Sequence, residues 1–312
     1  MAISSLIRKF YEKNPDFPLR KSLRALYWCW RESPGRLYRN FRPVNSTRPL
    51  RCNPAAQTEI HTLTCHKHVF MYITAIKSLL RFVADIAVVV HDDGSLTPED
   101  IAIIERHIDG IKVIRRRDAD EIVGKLLASY PKTMRYRSEV INSLELTDHA
   151  LLAGKERLII SNSDTLFLQR PDELLRWIAD DDCSVLCVYE EAPVQQAEFL
   201  TRVGSWFPPH LTFALVCLRK DLVEPAGMEE TISRFNQTDS PWFIGQNTLP
   251  VLLGNKVSAS DLKFLDQQLY QASAEFSDGA VFRHYWTSIA RLRPQYFADA
   301  AKVIAELKSA VE

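Results

Sequence analysis

From residue 59 onward the spacing of apolar positions switches repeatedly between two periods. "EIHTLT" (59–64) reads as a strand, and "VFMYITAIKSLLRFV" (69–83) has the apolar spacing of an amphipathic helix. "IAVVVH" (86–91) is short, β-branched and apolar, the pattern of a strand buried in a parallel sheet. "PEDIAIIERHI" places Pro98 and two acids in the first turn of a second helix. "IKVI" (111–114) predicts a third strand, Asp118 to Tyr130 a helix stopped by Pro131, and "RLIIS" (157–161) a fourth strand. "RPDELLRWIA" repeats the proline-plus-acids helix start. "CSVLCVYE" (183–190) and "LTFALVCLRK" (211–220) predict two more strands, with helices around 226–235, 244–253 and 294–311. Strand and helix in alternation imply an α/β fold with a mostly parallel central sheet flanked by helices.

Residues 1–51 break this pattern. Their twelve Lys and Arg against three acids leave a surplus of +9, which the remainder of the chain balances to a net charge of zero. Aromatic residues are interleaved with the cations, and "LRKSLRALYWCWRESPG" reads as a short helix ended by Pro34-Gly35. Two readings stand: an arm packed on an acidic main domain, or a patch for anionic lipid or a lipid-linked substrate. No nucleic-acid motif accompanies the charge, which excludes nucleic acid as the expected partner. We therefore divide the chain into a basic aromatic arm, 1–51, and a main α/β domain, 52–312.

A hydrophobic content of 46% and a charged content of 25% are those of a globular protein. The six cysteines form no CxxC pair, which suits a reducing compartment. The N-terminus has no signal-peptide core, and no apolar run is long enough to span a bilayer. A cytoplasmic protein, peripheral at the inner membrane face through its arm, is expected. The 10 glycines form neither GxGxxG nor GxxxxGK[ST], so dinucleotide and P-loop chemistry lose support.

Ligands of open α/β sheets bind beyond the carboxyl ends of the strands. Four polar clusters fall there: Cys65-His66-Lys67-His68, His91-Asp92-Asp93-Gly94-Ser95, Asn162-Ser163-Asp164 and Glu190-Glu191. "HDDGSLT" is a turn with Gly94 at positive φ and Ser95 or Thr97 capping the next helix. Its carboxylates also suit the imide N–H of uracil or ribose hydroxyls. In "SNSDTLF", a turn that happens to contain an acid competes with a cation site. There the carboxylate of Asp164 and the amide oxygen of Asn162 share a face of an extended backbone.

The order strand, helix, "VVVHDDGSLTPED", strand, helix, "LIISNSDTLFLQRPDELL" resembles the nucleotide-diphospho-sugar transferases of the GT-A type. It is especially similar to bacterial glycosyltransferase-like proteins near families 2 and 8, over roughly residues 57–297. The resemblance implies that the 65–68 and 92–95 loops hold a nucleoside, through His66, Lys67, Asp92 and Asp93. It also implies Mn²⁺ or Mg²⁺ on the donor diphosphate, held at an Asp-x-Asp that reads Asn162-Ser163-Asp164 here. A C-terminal histidine, His284 in "VFRHYWTSIARLRP", completes the metal site, with Arg283, Arg291 or Arg293 meeting phosphate. Glu190 and Glu191 are the candidate bases for an inverting reaction, with Asp239 behind them.

Three motifs depart from the family. Asn162 replaces the first acid, "LTFALVCL" stands where Asn-x-Gly is expected, and Gly245-Gln246 where Asp-Gln is common. The implied activity is transfer of a sugar, UDP-linked, to a polysaccharide or glycolipid acceptor. A catalytically weakened relative that only binds nucleotide sugar is the first alternative. The second is a sugar nucleotidyltransferase, against which "LTCHKHVF" lacks the expected glycine-rich loop.

Overall fold

The structure is a computed structural model that describes residues 39–180, 184–190, 194–206, 211–235, 239–273, 275–285 and 294–309. Most of the basic arm, residues 1–38, lies outside them. In chain order the elements are β1 (Thr58–Thr64), α1 (Val69–Leu80), β2 (Ala87–Asp92), α2 (Pro98–His107), β3 (Lys112–Ile114), α3 (Arg116–Leu126), α4 (Pro131–Glu139) and α5 (Leu144–Leu151). They continue with β4 (Arg157–Ser161), β5 (Thr165–Phe167), α6 (Asp172–Asp180), β6 (Val185–Tyr189), α7 (Val194–Arg202), β7 (Leu211–Arg219), α8 (Pro225–Ile232) and α9 (Pro241–Lys256). Last come β8 (Leu262–Phe264), β9 (Tyr270–Gln271), β10 (Phe282–His284) and α10 (Pro294–Ser309).

A seven-stranded sheet has the order β8-β6-β7-β4-β1-β2-β3. The pairs β8/β6, β4/β1, β1/β2 and β2/β3 are parallel, and β7 is antiparallel to both β4 and β6. The predicted mostly parallel sheet is therefore present, with one reversed strand in its middle. Strand side chains alternate between faces. Ile60, Val88, Val90, Ile159, Leu186 and Cys217 enter a core with Tyr72, Ile76, Leu79 and Trp177. Leu158, Ile160, Val185, Cys187, Val216 and Leu218 enter another with Leu249, Leu252 and Leu253 of α9.

Local chemistry places several boundaries. Thr97 caps α2: its hydroxyl accepts from the Asp100 amide at 3.2 Å, while the Asp100 carboxylate accepts from the Thr97 amide at 2.9 Å. The helix expected up to Pro131 ends at Leu126, and Pro131 starts a new helix instead. A proline has no amide hydrogen to lose in a first turn, so it opens α4 as readily as it closes α3. A second, three-stranded sheet, β9-β10-β5, was not foreseen. Its strands are two or three residues long, too short for a period to show.

The last part of the arm, 39–51, rests on the domain. Phe41 and Val44 are fully buried, and the buried Lys77 of α1 donates to Thr47 Oγ1 at 2.6 Å and to the Arg48 carbonyl.

Candidate active site

Parallel pairing sets the strand ends side by side. Thr64 pairs with Asp92 in register, and the Asp93 amide donates to the Thr64 carbonyl at 3.1 Å. The two following loops are then stitched together. The His66 amide donates to Ser95 Oγ at 2.9 Å, and His66 Nδ1 lies 2.7 Å from Asp100 Oδ2. Lys67 is exposed beside them.

Asp92 and Asp93 shape their own loop. Asp92 Oδ1 accepts from the amides of Gly94 (2.8 Å) and Leu96 (3.0 Å), and Asp93 Oδ1 from the amide and hydroxyl of Ser95 (2.9 and 2.6 Å). Gly94 sits at φ 105°, where a side chain would be strained. Arg115 Nε is 4.0 Å from Asp92 Oδ2, which brings one cation of the "RRRDADE" segment to this loop. Its neighbours Arg116 and Arg117 pair with Asp120 and Asp118.

The backbone after β4 turns at Ser163 and Asp164, so Asn162 and Asp164 do not share a face of an extended strand as expected. Asn162 is half-buried and Asp164 buried. Antiparallel pairing of β10 with β5 sets His284 opposite Thr165, and the Tyr285 amide donates to the Asp164 carbonyl at 3.0 Å. His284 Nε2 is thereby 3.3 Å from Asp164 Oδ1, with both side chains buried. Across the ring, Nδ1 lies 3.7 Å from Glu190 Oε2, at the end of β6. Burial alone would lower the imidazole pKa, but Asp164 and then Glu190 outweigh it and raise it to about 9.

Glu145, in the first turn of α5, also belongs here. Because α5 precedes β4 and returns antiparallel to it, its N-terminal turn lies at the carboxyl end of the sheet. Burial and the charge of Asp164 push the Glu145 carboxyl up to about 8, with His284 opposing. His68 feels Asp164 and Asp93, though burial dominates and lowers its pKa. Loops 65–68 and 92–95, Asp164, His284, Glu190 and Glu145 thus share one end of the sheet. Sequence reasoning missed Glu145 because "SLELTDHALL" follows a proline-opened helix that was read as a stop.

Other candidates lie elsewhere. Arg283, offered as a phosphate contact, is spent in the interior: Nη1 bonds Asp299 Oδ2 at 2.8 Å and Nη2 the Ser277 carbonyl at 2.6 Å. Asp239 lies 3.9 Å from Arg202. Glu191, Arg291 and Arg293 fall outside the described residues. The Gly245 departure has a steric cause. A Cβ at that position would be 2.6 Å from the Tyr136 hydroxyl, so the tyrosine fills the space an aspartate side chain would need.

Among the described residues no group of three or more His, Cys, Asp and Glu converges to hold a metal. The pair Asp164 and His284 still suits a divalent cation. Adjacent ligands on one ion with bonds of about 2.1 Å stand roughly 3 Å apart, close to the observed separation. A shell with two protein donors is completed by phosphate oxygens. Nearby, the fully buried Tyr296 hydroxyl has no hydrogen-bond partner and feels the charge of Asp164.

No family model and no curated protein sequence matches the chain. Solved structures do. The apo form of mouse xyloside xylosyltransferase 1 superposes with a TM-score of 0.50 at 15% identity, covering 75% of this chain and 99% of that one. The bifunctional glycosyltransferase WbbM gives 0.51 at 12% identity, with 81% of this chain matched to half of that one. The galactosyltransferase LgtC, solved with donor and acceptor sugar analogues, gives 0.46 at 14% identity over 81% and 96%. The fold is that of the GT-A glycosyltransferases. The GT-A likeness rests on architecture, at identities too low to carry substrate or activity. No helix among the described residues is long and apolar enough to cross a membrane.

Proposed function

We propose that the protein is a glycosyltransferase that moves a sugar from a nucleotide diphosphate, UDP-linked, to a glycan or lipid-linked acceptor. One observation carries the reading: within a GT-A fold, Asp164 and His284 meet 3.3 Å apart at the strand-end face that also holds the 65–68 and 92–95 loops. The nucleoside would lie against His66, Lys67 and the Asp92-Asp93 turn, whose carboxylates are oriented by their own backbone amides. Asp164 and His284 would hold Mn²⁺ or Mg²⁺. When bound, that ion would supply positive charge to the leaving diphosphate.

In the transfer, the bond between the anomeric carbon and the donor phosphate oxygen breaks, its electron pair staying on the diphosphate. A bond from the acceptor oxygen forms, and the hydroxyl proton must leave. Lys67, Arg115 and Arg291 are the cations proposed to meet the anionic leaving group. For inversion at the anomeric carbon the proton acceptor would come from Glu190 or Glu191. The basic arm, 1–51, is proposed to hold the protein at an anionic inner membrane face near a lipid-linked acceptor.

The test is a thermal-shift panel of nucleotide sugars with and without Mn²⁺. A UDP-sugar should stabilise the protein only with metal, and Asp164→Ala should abolish the effect. Equal stabilisation of the variant would place the ligand elsewhere. A second reading, binding without turnover, draws support from Asn162 and from the Tyr136 hydroxyl standing in for an acid at 245. It expects the same stabilisation with no release of UDP.

A further inference from the structure

We propose that Glu190 is a positioning residue that holds the His284 imidazole for a cation, not the base that deprotonates the acceptor. The inference rests on the reading of Asp164 and His284 as metal ligands. The two ring nitrogens of an imidazole point to opposite sides. Here one faces Asp164 Oδ1 at 3.3 Å and the other Glu190 Oε2 at 3.7 Å. The ring is therefore bracketed by two carboxylates from different sheets. Asp164 precedes β5, in the small sheet that carries His284, and Glu190 follows β6 of the main sheet.

The arrangement has a chemical sense. A histidine ligand offers a lone pair from one nitrogen and needs its remaining N–H tied down, so that the ring keeps its tautomer and orientation. Oε2 of Glu190 faces that second nitrogen at 3.7 Å, an ion-pair distance that a small side-chain rotation would close to a hydrogen bond. With Nδ1–H directed at Glu190, Nε2 is left to face the Asp164 side, where the cation would sit. Glu190 then serves the ring and not the acceptor hydroxyl.

The full-length protein is titrated with Mn²⁺ in the presence of UDP, and free Mn²⁺ is read by electron paramagnetic resonance. Wild type, D164N, E190Q and E190D are compared. Loss of an orienting carboxylate typically weakens metal binding ~10–100-fold. E190Q should show that loss, and E190D should recover part of it. A second measurement needs no metal: ¹⁵N shifts of the His284 ring at alkaline pH, where it is neutral. The comparison is made in D164A, where the nearer carboxylate no longer competes for the ring proton: D164A should hold the Nδ1–H tautomer and D164A/E190Q should lose that preference. If D164N binds Mn²⁺ as tightly as wild type, the metal reading fails, while the tautomer still decides the role of Glu190. An unchanged tautomer in D164A/E190Q relative to D164A, or unchanged Mn²⁺ affinity in E190Q where D164N has lost it, overturns the proposal.

Discussion

Lowering the pH from 7 to 5 should destabilise this protein through a buried histidine cluster under α5. His61 (β1), His91 (β2) and His149 (α5) are all essentially inaccessible, with ring centroids 4.5 to 5.7 Å apart. His61 Nδ1 lies 2.8 Å from His91 Nε2, and neither nitrogen of His149 has a hydrogen-bond partner. Burial lowers all three pKa values, helped by mutual repulsion at His91 and His149. At His61 the nearby Glu59, 3.2 Å away, opposes the shift. A depressed folded pKa means that the unfolded chain takes up protons first, so stability falls as pH drops below the ordinary value near 6.5. A histidine kept neutral to pH 5 costs about 2 kcal/mol there. His91 and His149 act in the same sense, each by at most about that amount, against a typical folding free energy of about 5–15 kcal/mol. His107, lowered to about 4, acts in the same direction; Glu145, raised to about 8, opposes them by holding a proton that the unfolded chain releases, and His284 contributes a constant amount below pH 6.5. Urea unfolding at pH 7 and pH 5 in wild type and His149→Leu isolates the cluster. The variant should lose about 2 kcal/mol less than wild type over this interval. Equal losses would refute the account.

Three further outcomes follow from the packing. Gly245→Ala drives a methyl into the Tyr136 hydroxyl and should cost about 1–3 kcal/mol, with Tyr136→Phe restoring much of it in chemical denaturation. Asp148→Ala leaves Arg137 without its bidentate partner, at 2.7 Å on both contacts, in a buried site. Because Arg137 keeps its 2.7 Å pair with Asp120, the cost should lie at or below about 3 kcal/mol, read as a lowered Tm. In metal-free protein the His284 ion pairs should add stability that is fully present below pH 6.5 and lost by about pH 9. The change is up to about 3 kcal/mol in urea titrations and should vanish in His284→Gln.

What the sequence revealed and what it hid have physical reasons. β2 and β4 were legible because strands covered on both faces are largely apolar, and because Pro98 and Thr97 announce the next helix. Asp164 and His284 were legible only through the resemblance, since no local period relates residues that far apart. β5 and β10, which bring them together, run three residues each and carry no pattern of their own. Arg283 was misplaced because an arginine beside a histidine looks available, while its partner Asp299 lies on α10. The same-face argument for Asn162 and Asp164 assumed a strand that ends one residue too early. Gly245 read as an unexplained departure until Tyr136, remote in sequence, was seen against it.

The pairing of β5 with β10 also orders events in time. Asp164 emerges near the middle of synthesis and His284 near its end, and the two meet only through a contact that closes a very long stretch of polypeptide. A nascent chain, or a fragment cut before β10, can already possess the Asp92-Asp93 turn and most of the large sheet. It cannot possess the carboxylate–imidazole pair, so competence for any chemistry at that pair arrives in one late step of folding.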